Sequence, residues 1–338
     1  MALFQIAFFA FASFLNGQGS SSGTPGTSIG FDDHIQTDDG NVAKTSGSHG
    51  PQGPPVQEGL SWKVSAGNLI QFDGSIEGGG DFSVNRTYVQ AGFEQAVSPS
   101  FTWGAGVATE IDAYRFSGSG AFADAAGGTP WTTTVDLTLK TSMKLNLGRN
   151  WQVRASFFCG WAGEHDAVFD DSFTVGGILG AAYRVDETFT IGAGALISDR
   201  LEDGLLVIPS VIIDWQLTPK LTLSNVRGAA SYPAGAGAEL LYSFDRSLSL
   251  SLGARYEYRR FRLDDEGAIP TRGGVGTERS FPTWLRLEYR PARNVRLHLV
   301  GGVSFGEKLE VQNRSGGSLA EQDVDPMPFV AFFAGIRF

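Results

Sequence analysis

The sequence has few of the residues from which disulfide-bonded, zinc-binding or nucleic-acid-binding proteins are built. Cys159 is the single cysteine among 338 residues, which excludes an intrachain disulfide framework. The sequence contains no CxxC pair and no Cys/His cluster, so it has no zinc site of the usual spacing. The net charge of −10 argues against a nucleic-acid partner. After residue 15, no apolar run approaches the roughly 18 residues of a membrane helix, so any crossing of a membrane must be made by strands.

The first 57 residues differ in composition from the rest of the chain. Residues 2–15 are apolar except for Gln5 and Ser13, a length typical of a secretory signal, although no Lys or Arg precedes the run. We therefore predict a signal peptide over residues 1–18. Residues 19–57 are rich in Gly, Ser, Pro, Thr and Asp, which is typical of a disordered linker. The folded domain is predicted to occupy residues 58–338.

Strict alternation of apolar and polar residues runs through the remainder of the chain. Residues 247–258 read SLSLSLGARYEY, and similar patterns occupy residues 131–147, 151–161 and 295–305. Successive side chains of a strand point to opposite faces, so each segment has one apolar and one polar face. No stretch shows a convincing helical period. The sequence therefore predicts an all-β fold.

The connections between these segments alternate between two lengths. Short turns are predicted at 97–101, 147–151, 185–189, 217–221, 244–248 and 290–295, and longer polar connections at 117–130, 164–171, 199–204, 264–279 and 312–326. This rhythm is typical of an up-and-down meander with turns at one end and loops at the other. Most segments also reach the ~9–11 residues with which a tilted strand crosses hydrocarbon. Counting back from the C-terminus gives about 14 antiparallel strands, with 12 as the alternative.

The last ten residues, FVAFFAGIRF, place Phe338, Ile336 and Phe332 on one face. This ending resembles the terminal strand of bacterial outer-membrane β-barrel proteins, and the repeated unit of turn, aromatic residue and alternating strand is similar to porin-class proteins. The resemblance implies a transmembrane barrel in the outer membrane of a Gram-negative bacterium. It also implies that the terminal residues are an assembly signal read by the barrel-assembly machinery. The expected partners are outer-membrane lipid, lipopolysaccharide and small solutes, with no cofactor.

The polar faces of the predicted strands carry two sets of charged residues that would line a lumen. The basic wall comprises Arg255, Arg259, Arg286, Arg290, Arg296 and His298; the acidic wall comprises Glu110, Asp112 and Asp136. In a ring of 14 strands these walls lie roughly opposite, where they would create a transverse field that selects polar or ionic solutes. Lumen-side glycines predict a thin wall at Gly104, Gly106, Gly160, Gly176, Gly180, Gly192 and Gly194. The expected function is a porin-like channel for passive diffusion of small polar or ionic solutes.

Other functions remain open at this stage. The same charges could pair across a closed lumen as a structural network, or the barrel could act through surface-binding loops. A hydrophobic-solute transporter would need more apolar residues on the lumen face. An omptin-like hydrolase would use His165, Asp166, Asp170 and Asp171, but these lie within one predicted loop, where a solvated acidic or Ca²⁺-holding role is the simpler interpretation. We therefore assign no catalytic or metal-binding residue and predict that the protein is not an enzyme.

Overall fold

The chain is described by a computed structural model that covers residues 59–201, 203–225 and 236–338. The predicted signal peptide and linker lie outside the described residues. The described strands are β1 (Leu60–Ser75), β2 (Asp81–Ser98), β3 (Phe101–Ser117), β4 (Thr133–Leu147), β5 (Trp151–Glu164), β6 (Phe173–Arg184), β7 (Phe189–Arg200), β8 (Asp203–Thr218), β9 (Leu221–Ser224), β10 (Ala236–Ser243), β11 (Leu248–Arg262), β12 (Val275–Ala292), β13 (Val295–Gln312), β14 (Ser318–Val324) and β15 (Met327–Arg337). One short helix, α1 (Ala121–Ala126), lies between β3 and β4, and a 3₁₀ turn (Asp170–Ser172) precedes β6. Among the described residues, no helix is long and apolar enough to cross a membrane.

Hydrogen bonding between strands closes the sheet into a barrel. Strands from β1 to β13 pair antiparallel with their neighbours in sequence, and β15 pairs with both β13 and β1, where Asn68 lies opposite Phe332. Strand β14 forms a ladder with the outer part of β13 and a single bridge from Val324 to Ile76, so it stands outside the ring. The ring therefore has 14 strands, as predicted, and the alternative of 12 is wrong. The prediction of a long loop over residues 312–326 was also wrong, because most of these residues form β14 and its turn. Strands β13 and β14 make a β-hairpin in which Glu321 lies opposite Glu310 in the strand register.

The outer surface of the barrel is apolar between two rings of aromatic residues. Large exposed side chains such as Phe157, Leu179 and Leu299 cover its middle. At the end with short turns, aromatic pairs include Trp151 with Tyr183, and at the other end Trp161 packs against Phe173. An even number of strands, an apolar outer band and two aromatic girdles are the features of single-chain barrels that span the bacterial outer membrane. The predicted fold class and outer-membrane location are thus confirmed.

Aromatic residues near strand ends are typical of interfacial girdles, but three such residues are buried and do not meet lipid. Trp131, Trp284 and Tyr258 are buried, with at most 8% of each side chain exposed. Trp284 has the same parity as Arg286, and Tyr258 lies near the outer end of β11, where the strand is covered on both faces. Position near a strand end is therefore an insufficient criterion, because the strand face and the cover over the outer end of the strand decide whether an aromatic residue meets lipid.

The short turns are stabilised by side chains that accept backbone hydrogen bonds. Asp186 Oδ1 accepts hydrogen bonds from the Thr188 hydroxyl and amide at 2.8 and 2.7 Å, and Asp245 does the same with Ser247. These bonds lower the pKa of both carboxyl groups, and the bond from the hydroxyl group has the largest effect. Such Asx turns reverse the chain tightly and explain why aspartate recurs at this end of the barrel.

Candidate functional site: the barrel interior

A group of charged residues, here called the lower belt, lies in the half of the lumen that is nearer the short turns. It comprises Glu239, Arg286, Glu288, Arg290 and His298. Arg286 Nη2 lies 2.5 Å from Glu239 Oε2, and Arg286 Nη1 lies 3.0 Å from both Glu288 Oε2 and His298 Nδ1. Arg290 Nε donates to Glu288 Oε1 at 2.5 Å. Alternation along β12 places Arg286, Glu288 and Arg290 on the inner face, and β13 places His298 beside Glu288.

A second group, the upper belt, lies nearer the long loops and comprises Arg86, Glu110, Asp112, Tyr114, Arg255, Glu257, Arg259 and Glu278. Arg86 is 2% exposed and forms ion pairs with Asp112, at 2.5 Å, and with Glu278. The Tyr114 hydroxyl lies 3.0 Å from Glu278 Oε2. Arg86 thus holds carboxylates from β3 and β12 together, although these two strands are not neighbours in the barrel.

The predicted basic and acidic walls meet in this belt. Arg259 Nε on β11 donates to Glu110 Oε1 on β3 at 2.8 Å, and Arg259 Nη1 donates to Glu257 Oε2 at 2.7 Å. Arg255 Nε donates to Glu257 Oε1 at 2.6 Å. Strands β3 and β11 are not paired in the sheet, so this contact crosses the lumen. Where the sequence suggested two walls separated by water, these side chains are in direct contact.

The remaining predicted wall residues lie beside the belts. Asp136 accepts a hydrogen bond from the Thr138 hydroxyl at 2.8 Å, and Arg296 is half-buried at the start of β13. All nine predicted wall residues therefore have the inward parity. Sequence analysis did not select Arg86, Glu239 or Glu278, which provide the contacts that connect these residues.

Aromatic side chains fill the outer end of the lumen. This cap cluster has Trp131 at its centre, with ring centroids 5.9 Å from Tyr114, 5.7 Å from Phe122 and 5.3 Å from Phe261. Phe122 lies on α1, in a connection that was predicted to be an irregular loop. The rings are perpendicular or nearly so, an arrangement favoured by their quadrupoles.

Polar contacts tie the long connections to one another over this cluster. Glu164 accepts hydrogen bonds from the amides of Thr132 and Asp264, at 2.8 and 3.0 Å. Arg260 donates to the carbonyl of Leu201, and Arg262 donates to the carbonyl of Asp171. The outer end is thus covered by connections that follow β3, β5, β7 and β11.

A cavity of about 40 Å³ remains inside the barrel. A single buried water needs ~10–15 Å³ by the same measure, so there is space for a few waters. Charged residues of both belts line the cavity, among them Glu239, Arg255 and Glu257. Its other lining is apolar and includes Phe329 and Phe333 of β15.

The wall is not thin at every lumen-side glycine. A β-carbon at Gly176 would lie 2.1 Å from the ring of Phe158, a fully buried residue of the adjacent strand β5. The aromatic ring therefore occupies the space that the glycine leaves open. The expectation of a thin wall at Gly176 was wrong for this physical reason.

The loop that suggested an omptin-like or Ca²⁺ site does not form a cluster. His165 Nδ1 lies 2.9 Å from Asp166 Oδ1, and both side chains are largely exposed. Asp171 instead pairs with Arg314 at 2.9 Å. In the described part of the chain, no group of three or more His, Cys, Asp or Glu residues is placed to hold a metal ion.

Comparison with known proteins shows similar barrels at low identity. An outer membrane channel from Pseudomonas putida F1 is 11% identical, with 84% of this chain and 99% of that chain covered and a TM-score of 0.44. The P. putida toluene transporter TodX is 10% identical, with 83% and 90% covered and a TM-score of 0.42. The translocator domain of the autotransporter NalP from Neisseria meningitidis is 11% identical, with 84% and 90% covered and a TM-score of 0.36. At these values neither the solute nor the mechanism of those proteins transfers to this chain.

No curated protein matches the sequence. The part of the chain from β4 to the C-terminus does match a protein family, over residues 133–338. This match covers more than half of the 338 residues. The chain therefore belongs to the family described as a domain of unknown function, DUF6268.

Proposed function

We propose that the barrel is an outer-membrane channel for passive diffusion of small polar or ionic solutes, closed in the conformation described here. The observation that carries this proposal is the charged interior around the central cavity, formed by the lower and upper belts. A channel of this kind needs no catalytic residue, and we propose a non-enzymatic function.

The energetics of buried charge support this interpretation. A buried ion pair contributes little to stability, because desolvation offsets its Coulomb attraction, and apolar replacements are often neutral or stabilising. The cap cluster around Trp131 is packed from apolar rings in the same lumen. Charges in the middle of the barrel are therefore better explained by contact with water and ions than by a contribution to stability.

The elements that close the outer end also support a channel. Trp131 and Phe122 come from the connection between β3 and β4 and not from the strands of the wall. A ring of 14 strands encloses more space than small side chains fill, so closure of its outer end depends on large rings such as these two. Movement of one connection would remove much of the cap cluster without breaking the barrel.

A closed structural barrel is the second candidate, and one observation favours it. Arg259 and Glu110 are in direct contact across the lumen, and Arg86 binds two carboxylates at nearly full burial. If these pairs are permanent, the interior is a structural network and no solute passes.

Planar-bilayer recording of refolded protein separates the two candidates. We expect small conductance for the native protein and larger conductance for a Phe122→Ala/Trp131→Ala variant, because the cap cluster loses its central rings. Phe157→Ala is the matched control, since Phe157 is aromatic but faces lipid. Folding of every variant is checked by heat-modifiable migration on a gel. Absence of current from both the native and the cap variant, when both are folded, would refute the channel and support the structural barrel.

Ion selectivity gives a second test. Arg290→Gln/Arg296→Gln removes positive charge from the inner wall near the short turns, so the reversal potential in a salt gradient should move toward cation selectivity. Arg246→Gln is the control, because Arg246 lies on an exposed turn outside the lumen. An equal shift in the control would show that surface charge and not the lumen sets selectivity.

A further inference from the structure

Strands β1 and β2 carry polar side chains on the face that meets lipid. On β1, Asn68 lies on the same side as Val64 and Ile70, which are 40% and 42% exposed, whereas Leu69 faces the lumen. On β2, Asn85 and Thr87 are exposed, whereas Val84 and Arg86 point inward. The usual polarity of a membrane strand, apolar outside and polar inside, is thus partly inverted here.

These polar residues lie at the depth of the hydrocarbon. Trp62 and Phe72 are both 48% exposed on the outer face of β1, one near each aromatic girdle. At ~3.3 Å per residue, Asn68 is roughly 20 Å from Trp62 and roughly 13 Å from Phe72 along the strand. Thr87 is the register partner of Asn68, and Asn85 is the partner of Ile70, one step nearer Phe72. Lipid headgroups and lipopolysaccharide sugars do not reach this depth.

The hydrogen bonds among these residues leave the Asn68 carbonyl oxygen and the Asn85 amide nitrogen unused. Asn68 Nδ2 donates to Asn85 Oδ1 at 2.6 Å, to the Arg86 carbonyl at 3.0 Å and to Thr87 Oγ1 at 3.1 Å. Among the described residues, neither Asn68 Oδ1 nor Asn85 Nδ2 has a hydrogen-bond partner. Lipid tails offer none, and an unpaired amide group in hydrocarbon costs free energy.

We infer that this face, the Asn68 patch (Ala66, Asn68, Asn85, Thr87 and Ala113), is an interface with a second copy of the chain in the membrane. A twofold axis along the membrane normal keeps each residue at its own depth, so the Asn68 patch of one copy contacts the same patch of the other. The Asn68 and Asn85 amide groups of one copy are in contact at 2.6 Å and so lie at nearly the same depth. The axis can therefore place the free Asn85 amide of one copy opposite the free Asn68 carbonyl of the other, and this match occurs twice. The small residues Ala66 and Ala113 flank the amides and permit close approach of two walls.

Cysteine cross-linking tests this interface in outer membranes, because Cys159 is the only native thiol. In a Cys159→Ser background, Asn85→Cys should form a disulfide-linked dimer with a membrane-permeant oxidant. The matched control is Val211→Cys, since Val211 also faces lipid and belongs to β8, which is seven strands from β1 around the ring. Val211→Cys should remain monomeric.

A second variant tests the hydrogen bonds without a thiol. Asn68→Leu/Asn85→Leu/Thr87→Val keeps similar volumes and removes the polar groups from the lipid face. Loss of two intermolecular hydrogen bonds in a membrane should weaken dimerisation in detergent about tenfold, while the heat-modifiable barrel is retained. Equal cross-linking at positions 85 and 211, a disulfide to a different protein, or an unchanged dimer fraction in the triple variant would each overturn the inference.

Discussion

Arg86→Met is the most direct test of whether the upper belt is shielded from water. The arginine is 2% exposed and forms ion pairs with Asp112 and Glu278. Methionine fills a similar volume but cannot pair with either carboxylate. Two carboxylates, from β3 and β12, would then remain buried with only the more distant Arg259 as a cation, at 3.6 Å from Asp112 and 3.9 Å from Glu278.

The expected loss follows from the asymmetry of buried ion pairs. Removing one partner of a buried pair costs roughly 3–5 kcal/mol, because the remaining charge stays desolvated. An exposed pair contributes only ~0–1 kcal/mol, because water screens it. Arg290 provides the comparison in the same barrel, since its side chain is 36% exposed while it pairs with Glu288. Arg290→Met should therefore lower the free energy of unfolding by about 1 kcal/mol or less.

Equilibrium unfolding in urea, followed by tryptophan fluorescence of the refolded barrel in detergent micelles, measures both variants. A triple variant, Arg86→Met/Asp112→Asn/Glu278→Gln, should recover most of the stability, because it removes the unpaired charges along with the arginine. If Arg86→Met differs from the native protein by no more than Arg290→Met does, the upper belt is hydrated and the burial argument is wrong. That result would itself strengthen the case for an open channel.

Two further predictions concern topology and assembly. In a Cys159→Ser background, Ser315→Cys in the turn between β13 and β14 should react with an impermeant thiol reagent on intact cells, and Arg246→Cys should not. Labelling at position 246 alone would show that the short turns, and not the long connections, face the cell exterior. Phe338→Ser should leave the chain unassembled in the periplasm, as the resemblance of the C-terminal strand implies. The control, Leu60→Ser, changes an exposed residue of the first strand and should assemble. A heat-modifiable barrel from Phe338→Ser would contradict the assembly signal.

Alternation in the sequence was sufficient to predict the fold because lipid imposes a single rule on every strand. Most outward residues at membrane depth are apolar, so the pattern in residues 247–258 specifies the face and the segregated connections specify the topology. The same rule could not identify α1 or β14, which lie beyond the membrane. There, local packing on Trp131 and pairing with β13 decide the structure, and neither leaves a period in the sequence.

The interior was only partly predictable, because inward positions of a barrel can be polar or apolar. Arg255, Arg286 and His298 were selected because they alternate with leucine and tyrosine. Arg86 was not selected, because its inward neighbours Val84 and Tyr88 are apolar and the outward Asn85 is polar. The contact between Arg259 and Glu110 depends on how closely two unpaired strands approach, and strand-level patterning does not specify that distance.

The two belts differ in their balance of charge, which determines where selectivity should be set if the channel opens. In the upper belt, the four carboxylates of Glu110, Asp112, Glu257 and Glu278 face the three guanidinium groups of Arg86, Arg255 and Arg259, a net charge of 3 − 4 = −1. The lower belt has two carboxylates, Glu239 and Glu288, and two guanidinium groups, Arg286 and Arg290, with half-buried Arg296 on the same inner face of β13. An ion that enters from the short turns would therefore meet a neutral or basic region and then an acidic region. An ion that enters from the long loops would meet them in the opposite order. Fields are strongest where water is scarcest, and Glu110 is 5% exposed whereas the Arg290 side chain is 36% exposed, so the charge of Glu110 should have the larger effect. Neutralising Glu110 should then move the reversal potential further than neutralising Arg290, and in the opposite direction.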